Sequence, residues 1–365
     1  MIEITNNLKK KYISGFDCRL ATFRNTLALQ NVVLSNSMIL GISGSLIFCF
    51  NDNNYYSRLA EFVVAGINDQ SLEYLASHLN LYLFRGRMYN MDTAKVEVNK
   101  YLSIGLPINI AVNRKILQEY CGQETGQINM GHHYVTLTSY NEQRGCFTLF
   151  ETDSPHPIMV TEEQLNHIWF GDLIHKREGI DPFQLCDGQW YTFKCEQIAR
   201  QDLIKASLQG ISKVIDNFFY SPMPEIFGMD ALRKFCNTVV RWEHFQDIHL
   251  LRRSLAVLNA MESGMSGGGL GRKLFGYFLS ELSEMIKDQE IKSISIRYTE
   301  LAALWRNLVK KLNMYFGLLT DEECVIQYNV IKQSAEIIEV KEIECMSALK
   351  NWYNKKIENG TTIER

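Results

Sequence analysis

His133-Tyr134-Val135-Thr136-Leu137-Thr138-Ser139-Tyr140, then Asn141-Glu142-Gln143-Arg144-Gly145, then Cys146-Phe147-Thr148-Leu149-Phe150-Glu151-Thr152-Asp153: this stretch reads as a β-hairpin. Two runs rich in β-branched and aromatic residues flank a short segment of turn chemistry that ends in glycine. Pairing Tyr140 with Cys146 carries the register down to His133 opposite Asp153. Directly opposed residues of an antiparallel pair share a face, so an imidazole and a carboxylate stand side by side at the open end. A slip of one residue would put His132 in that place instead. Glu151 shares the face of Asp153 and is the reserve acid.

Working outward, the neighbouring segments alternate between strand and helix patterns. Leu106-Pro107-Ile108-Asn109-Ile110-Ala111-Val112 is a short strand opened by proline, and Gly188 to Cys195 is a last strand. Thr161 to Trp169 is a capped helix, with Thr161 as N-cap and Gln164 three residues on. Cys18 to Gln30 is a helix whose Leu20, Phe23, Leu27 and Ala28 recur at helical spacing after a Ser14-Gly15 turn. Asn54 to Leu83 reads as one or two helices. After Glu196 the patterns are helical throughout, at about 199–218, 228–245, 246–262, 270–288, 292–313 and 328–355. The expected fold is therefore α+β, with a first domain over 1–195 and an all-α domain over 196–365.

Bulk composition excludes several classes. Of 365 residues, 46% are hydrophobic and 22% charged, which is ordinary for a globular chain and wrong for a collagenous or wholly disordered one. Lys and Arg number 38 against 41 Asp and Glu, so the net charge of -3 makes no case for a nucleic-acid partner. Met38 to Phe50 is the longest apolar stretch, too short for a membrane-spanning helix of roughly 18 residues or more. Nine single cysteines, an odd count with no CxxC pair, fit reduced thiols in a cytoplasmic protein. His156, His167 and His175 lack metal-ligand spacing, and no cofactor or metal is expected.

Cys18 opens its helix, where the macrodipole and free N–H groups favour the thiolate. The competing reading is a small buried apolar side chain, as most free cysteines are. Together with the His133–Asp153 pair, however, it gives the chain order Cys…His…Asp of papain-like enzymes: nucleophile, base and orienting acid. Met265-Ser266-Gly267-Gly268-Gly269-Leu270-Gly271-Arg272-Lys273 is glycine-rich but lacks nucleotide-loop spacing. It is either a mobile piece that closes over a ligand or a tight interhelical turn.

The motifs, taken in order, resemble the butirosin-biosynthesis protein H family. Those that carry the likeness are Cys18; Leu34 to Phe50; Gly105-Leu106-Pro107-Ile108-Asn109-Ile110; and His133-Tyr134-Val135 with Asp153. The second half is similar to the helical domain that often follows, through Gly264 to Arg272, Phe278-Leu279, Tyr298 and Trp305. The likeness spans roughly residues 14–310. It implies a papain-like fold and an acyltransferase that moves an aminoacyl group from an acyl carrier protein thioester onto a small-molecule amine. In that mapping Cys18 is the nucleophile, His133 the base and Asp153 the orienting acid. The helical domain would cover or shape the acyl and acceptor site. Asn36 stands where the pattern has Glu, and Asn113 where it has Asp, so two charges near the site are absent. An acidic carrier protein needs a basic docking face: Lys9, Lys10 and Lys11, or Arg272 and Lys273, or Lys310 and Lys311. A hydrolase with the same triad and a catalytically idle binding protein are the alternatives.

Overall fold

A computed structural model describes residues 15, 17–52, 62–67, 71–122, 132–152, 154, 156–174, 188–264, 266–318 and 327–358. In chain order the elements are α1 (Cys18–Leu29), α2 (Asn36–Ile42), β1 (Leu46–Asn51), β2 (Val63–Ile67), α3 (Ser71–His78), β3 (Tyr82–Arg87), α4 (Met91–Ser103) and β4 (Ile108–Asn113). There follow α5 (Arg114–Tyr120), β5 (His132–Asn141), β6 (Cys146–Phe150), β7 (Ile158–Thr161), α6 (Glu162–Ile174) and β8 (Gln189–Lys194). The rest is helical: α7 (Arg200–Phe219), α8 (Gly228–Val239), a 3-10 turn (Trp242–His244), α9 (Ile248–Ser263), α10 (Arg272–Ile286), α11 (Gln289–Tyr315) and α12 (Tyr328–Glu358).

Packing divides the chain into two units, Met1–Asn36 with Asn80–Ile198, and Ser37–Leu79 with Ala199–Arg365. The second unit takes Ser37–Leu79 out of the segment that the sequence put into a domain over 1–195. It is therefore not purely helical, because β1 and β2 form an antiparallel pair within it. The 54–83 stretch, expected as helix, holds β2, α3 and the start of β3, while 53–61 lies outside the described residues. The reason is local chemistry: Phe62-Val63-Val64-Ala65-Gly66-Ile67 is a β-branched run that suits a pleated surface.

The first unit is built on a six-stranded antiparallel sheet in the order β3-β8-β4-β5-β6-β7. Side chains alternate between its faces. One face carries Ile108, Ile110, Val112, Val135, Leu137, Phe147 and Leu149 into a core closed by Val98, Leu165, Ile168 and Trp169 of α4 and α6. The other carries Asn109 and Tyr191, which meet α1, and Thr136, which donates to Asn109. The capping box forms as expected: Gln164 N donates to Thr161 Oγ1 at 3.2 Å, and Thr161 N donates to Gln164 Oε1 at 2.9 Å.

The β5–β6 hairpin forms with a corrected register. Next to the turn Asn141 pairs with Cys146, Tyr140 with Phe147 and Ser139 with Thr148. A bulge then intervenes, and Leu137 pairs with Leu149 and Thr136 with Phe150. The extra residue in β5 restores, toward the open end, the register that the five-residue loop would have set.

In the second unit an aromatic core joins β1 and β2 to the helices. Phe62 stacks on Trp242 at 4.6 Å between centroids, and Phe48 on Trp305 at 5.5 Å. A fully buried Phe contributes about 2 kcal/mol relative to exposure. Arg272, 1% exposed, lies in this core. Its Nε donates to Glu342 Oε1 at 2.8 Å and its Nη1 to Leu270 O at 2.6 Å, while Trp305 Nε1 donates to Glu342 Oε2 at 2.8 Å. Arg272 is thus excluded as an exposed docking cation.

The glycine-rich segment is a packed turn rather than a mobile piece. Gly269 N donates to the buried Glu262 carboxylate at 2.7 Å. Gly267, Gly268, Gly269 and Gly271 all have positive φ, and a Cβ at Gly269 would fall 2.4 Å from Ala302 Cα. Only glycine allows that backbone so close to α11.

Candidate active site

Asp17 starts α1. Its carboxylate accepts from the N–H groups of Arg19 and Leu20, each at 3.0 Å, and Arg19 Nη2 reaches its Oδ2 at 3.4 Å. This is a side-chain N-cap, and it supplies the helix start that the sequence reading drew from Ser14-Gly15. The cap leaves the Cys18 N–H, first in the helix, directed out of the N-terminus. The Cys18 side chain is half-buried. The charge of Arg19 is favoured against burial by Asp17 and Cys18, so a cation stands within the field of the thiol.

His133 lies at the start of β5, opposite Val112 of β4, and is 5% exposed. Its Nε2 is hydrogen-bonded to Glu151 Oε1, and Glu151 is 4% exposed. The hairpin accounts for this contact. Continuing the Thr136–Phe150 register puts Glu151 opposite Val135, diagonal to His133 on the same face, within reach of two long side chains. Thr152 Oγ1 donates to the same carboxylate oxygen at 3.4 Å. Burial alone would drive the His133 proton off. Hydrogen bonding and charge from Cys18 and Glu151 outweigh it and raise the imidazole to about 10. The thiol that opens α1 and the imidazole that opens β5 are therefore brought together.

Asp153, expected as the orienting acid, lies outside the described residues, as does the side chain of His132. β6 ends at Phe150, and Ser154 N donates to Glu151 O at 3.2 Å. Among the described residues the carboxylate that meets His133 is Glu151. The sequence reading has Glu151 as the reserve acid.

The chain next to Cys18 is tightly placed. Gly15 N donates to Thr152 O at 3.4 Å, and a Cβ at Gly15 would fall 2.6 Å from Ala21 Cβ and 3.4 Å from Asn36 Nδ2. Asn36 Oδ1 is buried and has no partner among the described residues. Asn113 caps α5, accepting from Ile116 N at 3.2 Å. Its amide therefore does structural work that an uncharged side chain performs as well as a carboxylate. His167 Nδ1 is hydrogen-bonded with Tyr120 OH at 2.7 Å. Of the remaining cations suggested for docking, Lys311 donates to Ser334 at 2.9 Å, Lys273 lies 5.8 Å from the Tyr277 ring centroid, and Lys9, Lys10 and Lys11 lie outside the described residues.

A half-buried thiol at a helix start, facing a buried imidazole that a carboxylate holds, defines an arrangement suited to moving a proton. Residues 17–152 match the family profile of butirosin biosynthesis protein H, N-terminal, and residues 175–349 match a domain of unknown function, DUF4872. The chain is thus butirosin-biosynthesis-protein-H-like, as the order of its motifs implied. No curated protein matches it. The second match begins before β8, a strand that completes the sheet of the first unit between β3 and β4. No described helix is long and apolar enough to cross a membrane.

Proposed function

We propose that the protein is a cysteine-dependent acyltransferase of papain-like architecture, acting in biosynthesis of the butirosin type. The observation that carries this reading is His133, buried between the Cys18 thiol and the Glu151 carboxylate and biased toward the charged ring. Glu151 holds Nε2, which leaves Nδ1 for the thiol.

The Cys18 thiolate attacks the carbonyl carbon of an acyl thioester, such as that of a carrier protein. The C–S bond of the donor breaks, and its sulfur leaves with the His133 proton. The acyl group is then bonded to Cys18 Sγ. An amine attacks this acyl-enzyme and gives its proton to His133, and the Cys18 thiolate leaves. The Cys18 N–H at the start of α1 stands where it can donate to the tetrahedral oxyanion. Glu151 keeps the ring oriented and steadies the imidazolium. Asp153, the acid implied by the resemblance, is tested beside it.

The test is intact-protein mass spectrometry after mixing with acyl-carrier and small acyl-thioester donors. An acyl adduct is expected on the wild type and is absent in Cys18→Ala. Glu151→Gln is expected to slow its formation, while Asp153→Asn leaves it near wild type; the reverse ranking would make Asp153 the acid. Release of the adduct by amines but not by water supports transfer. Release by water alone would make the protein a hydrolase. No adduct with any donor, together with a Cys18 inert to alkylating agents, would leave a binding protein.

A further inference from the structure

The seam between α1 and the sheet is polar where helix–sheet seams are ordinarily apolar. Residues 20–28 of α1 are buried without a break. Along one i, i+4 row stand Cys18, Thr22, Thr26 and Gln30, and the last three each grip the sheet through hydrogen bonds. Thr22 Oγ1 donates to Arg19 O at 2.9 Å, so the contact at 2.6 Å with the buried Tyr191 of β8 runs from the Tyr191 hydroxyl to Thr22. Thr26 Oγ1 accepts from Asn109 Nδ2 of β4 at 2.9 Å, and Asn109 Oδ1 accepts from Thr136 Oγ1 of β5 at 2.7 Å. Gln30 Nε2 donates to Phe193 O at 2.7 Å, and Gln30 Oε1 accepts from Cys195 N at 2.8 Å.

Apolar contacts are non-directional and let a helix slide or turn on its support. Hydrogen bonds have required distances and angles. A row of Val and Leu would fill the same space with comparable stability, because a buried hydrogen bond adds little net to folding. What the polar row adds is a fixed rotation and a fixed shift of α1. One residue of slippage turns the helix by 100° and moves it 1.5 Å, enough to carry Cys18 away from His133. The first member of the row is the residue whose direction matters most.

We propose that Thr22 with Tyr191, and Thr26 with Asn109 and Thr136, are positioning residues that fix the rotation of α1 so that the Cys18 thiol meets His133. This rests on Cys18 as the nucleophile.

The test is the pH dependence of Cys18 alkylation by iodoacetamide, followed by peptide mass spectrometry on the full chain, with thermal unfolding measured in parallel. Wild type is expected to react below neutral pH in a way that His133→Ala abolishes. Tyr191→Phe and Thr22→Val are expected to keep a folded transition, yet lose at least tenfold of the rate below neutral pH. Thr22→Ser, which retains the hydroxyl, restores it. If Asn109→Leu does not fold, Tyr191→Phe decides, because it removes one oxygen and leaves the ring packing on Phe23. A folded Tyr191→Phe with the wild-type pH profile within twofold overturns the positioning role while leaving Cys18 as nucleophile. A wild-type profile that ignores His133→Ala overturns both.

Discussion

Two buried clusters of charge, one in each unit, behave as opposites. In the second unit the Arg272 side chain is 1% exposed and paired: Glu342 takes its Nε, Leu270 O takes its Nη1, and Trp305 takes the other carboxylate oxygen. In the first unit Cys18, His133 and Glu151 also combine burial with charge, but the thiol is half-buried and the imidazole is held on its charged side by neighbours that themselves ionise. The first cluster has no proton to give, since arginine stays charged. The second has one at a group that can release it. Burial of charge by itself therefore marks neither a site nor a strut. What separates them is whether the bonded groups can exchange a proton with something that reaches them.

The comparison breaks most readily at Glu342. Glu342→Ala leaves Arg272 charged and unpaired, at a cost of about 3–5 kcal/mol. Urea denaturation of wild type and variant checks this, and a loss below 1 kcal/mol would show the pair to be dispensable. Next in size is His133→Ala, expected to lower acyl-enzyme formation on the order of 10³-fold with little change in fold, checked by single-turnover kinetics. An unchanged rate would remove His133 from the reaction.

A pH series sharpens the contrast. The folded value of His133 lies above its ordinary value of 6.5. Its contribution to stability is therefore full below about 6.5 and is lost as pH rises through about 10. Wild type is expected to lose stability across that window relative to His133→Ala, and parallel curves would contradict the raised value. Thiol labelling gives the smallest effect, a ranking. Burial pushes the Cys49 and Cys345 thiols of the second unit up to about 12. At pH 8 Cys18 is expected to be alkylated before either, as read by peptide mass spectrometry.

Much of this was legible in the chain. Turn residues, β-branched runs and helix caps act over a few neighbours, so the hairpin, the Thr161–Gln164 capping box and the helices after Glu196 fall within a few residues of their predicted places, although the expected helix over 228–245 stops at Val239. Cys18 and His133 stand at a helix start and a strand end, positions that local patterns mark. The register next to the turn was harder. Loop length predicts register only for an unbulged ladder, and the bulge between Leu137 and Ser139 shifts the pairing of the turn end by one residue.

Short-range geometry is enough to set the β5–β6 hairpin, the Thr161–Gln164 capping box, the helices after Glu196 and the α+β class, and to put Cys18 and His133 at element ends. Long-range packing alone brings the Glu151 carboxylate to His133, holds α1 to the sheet through Thr22 and Thr26, buries Arg272, and packs Ser37–Leu79 with the helices. Those facts depend on which surfaces meet across many residues of chain, and polar side chains such as Thr22, Asn109 and Arg272 read as exposed until a partner far along the sequence satisfies them.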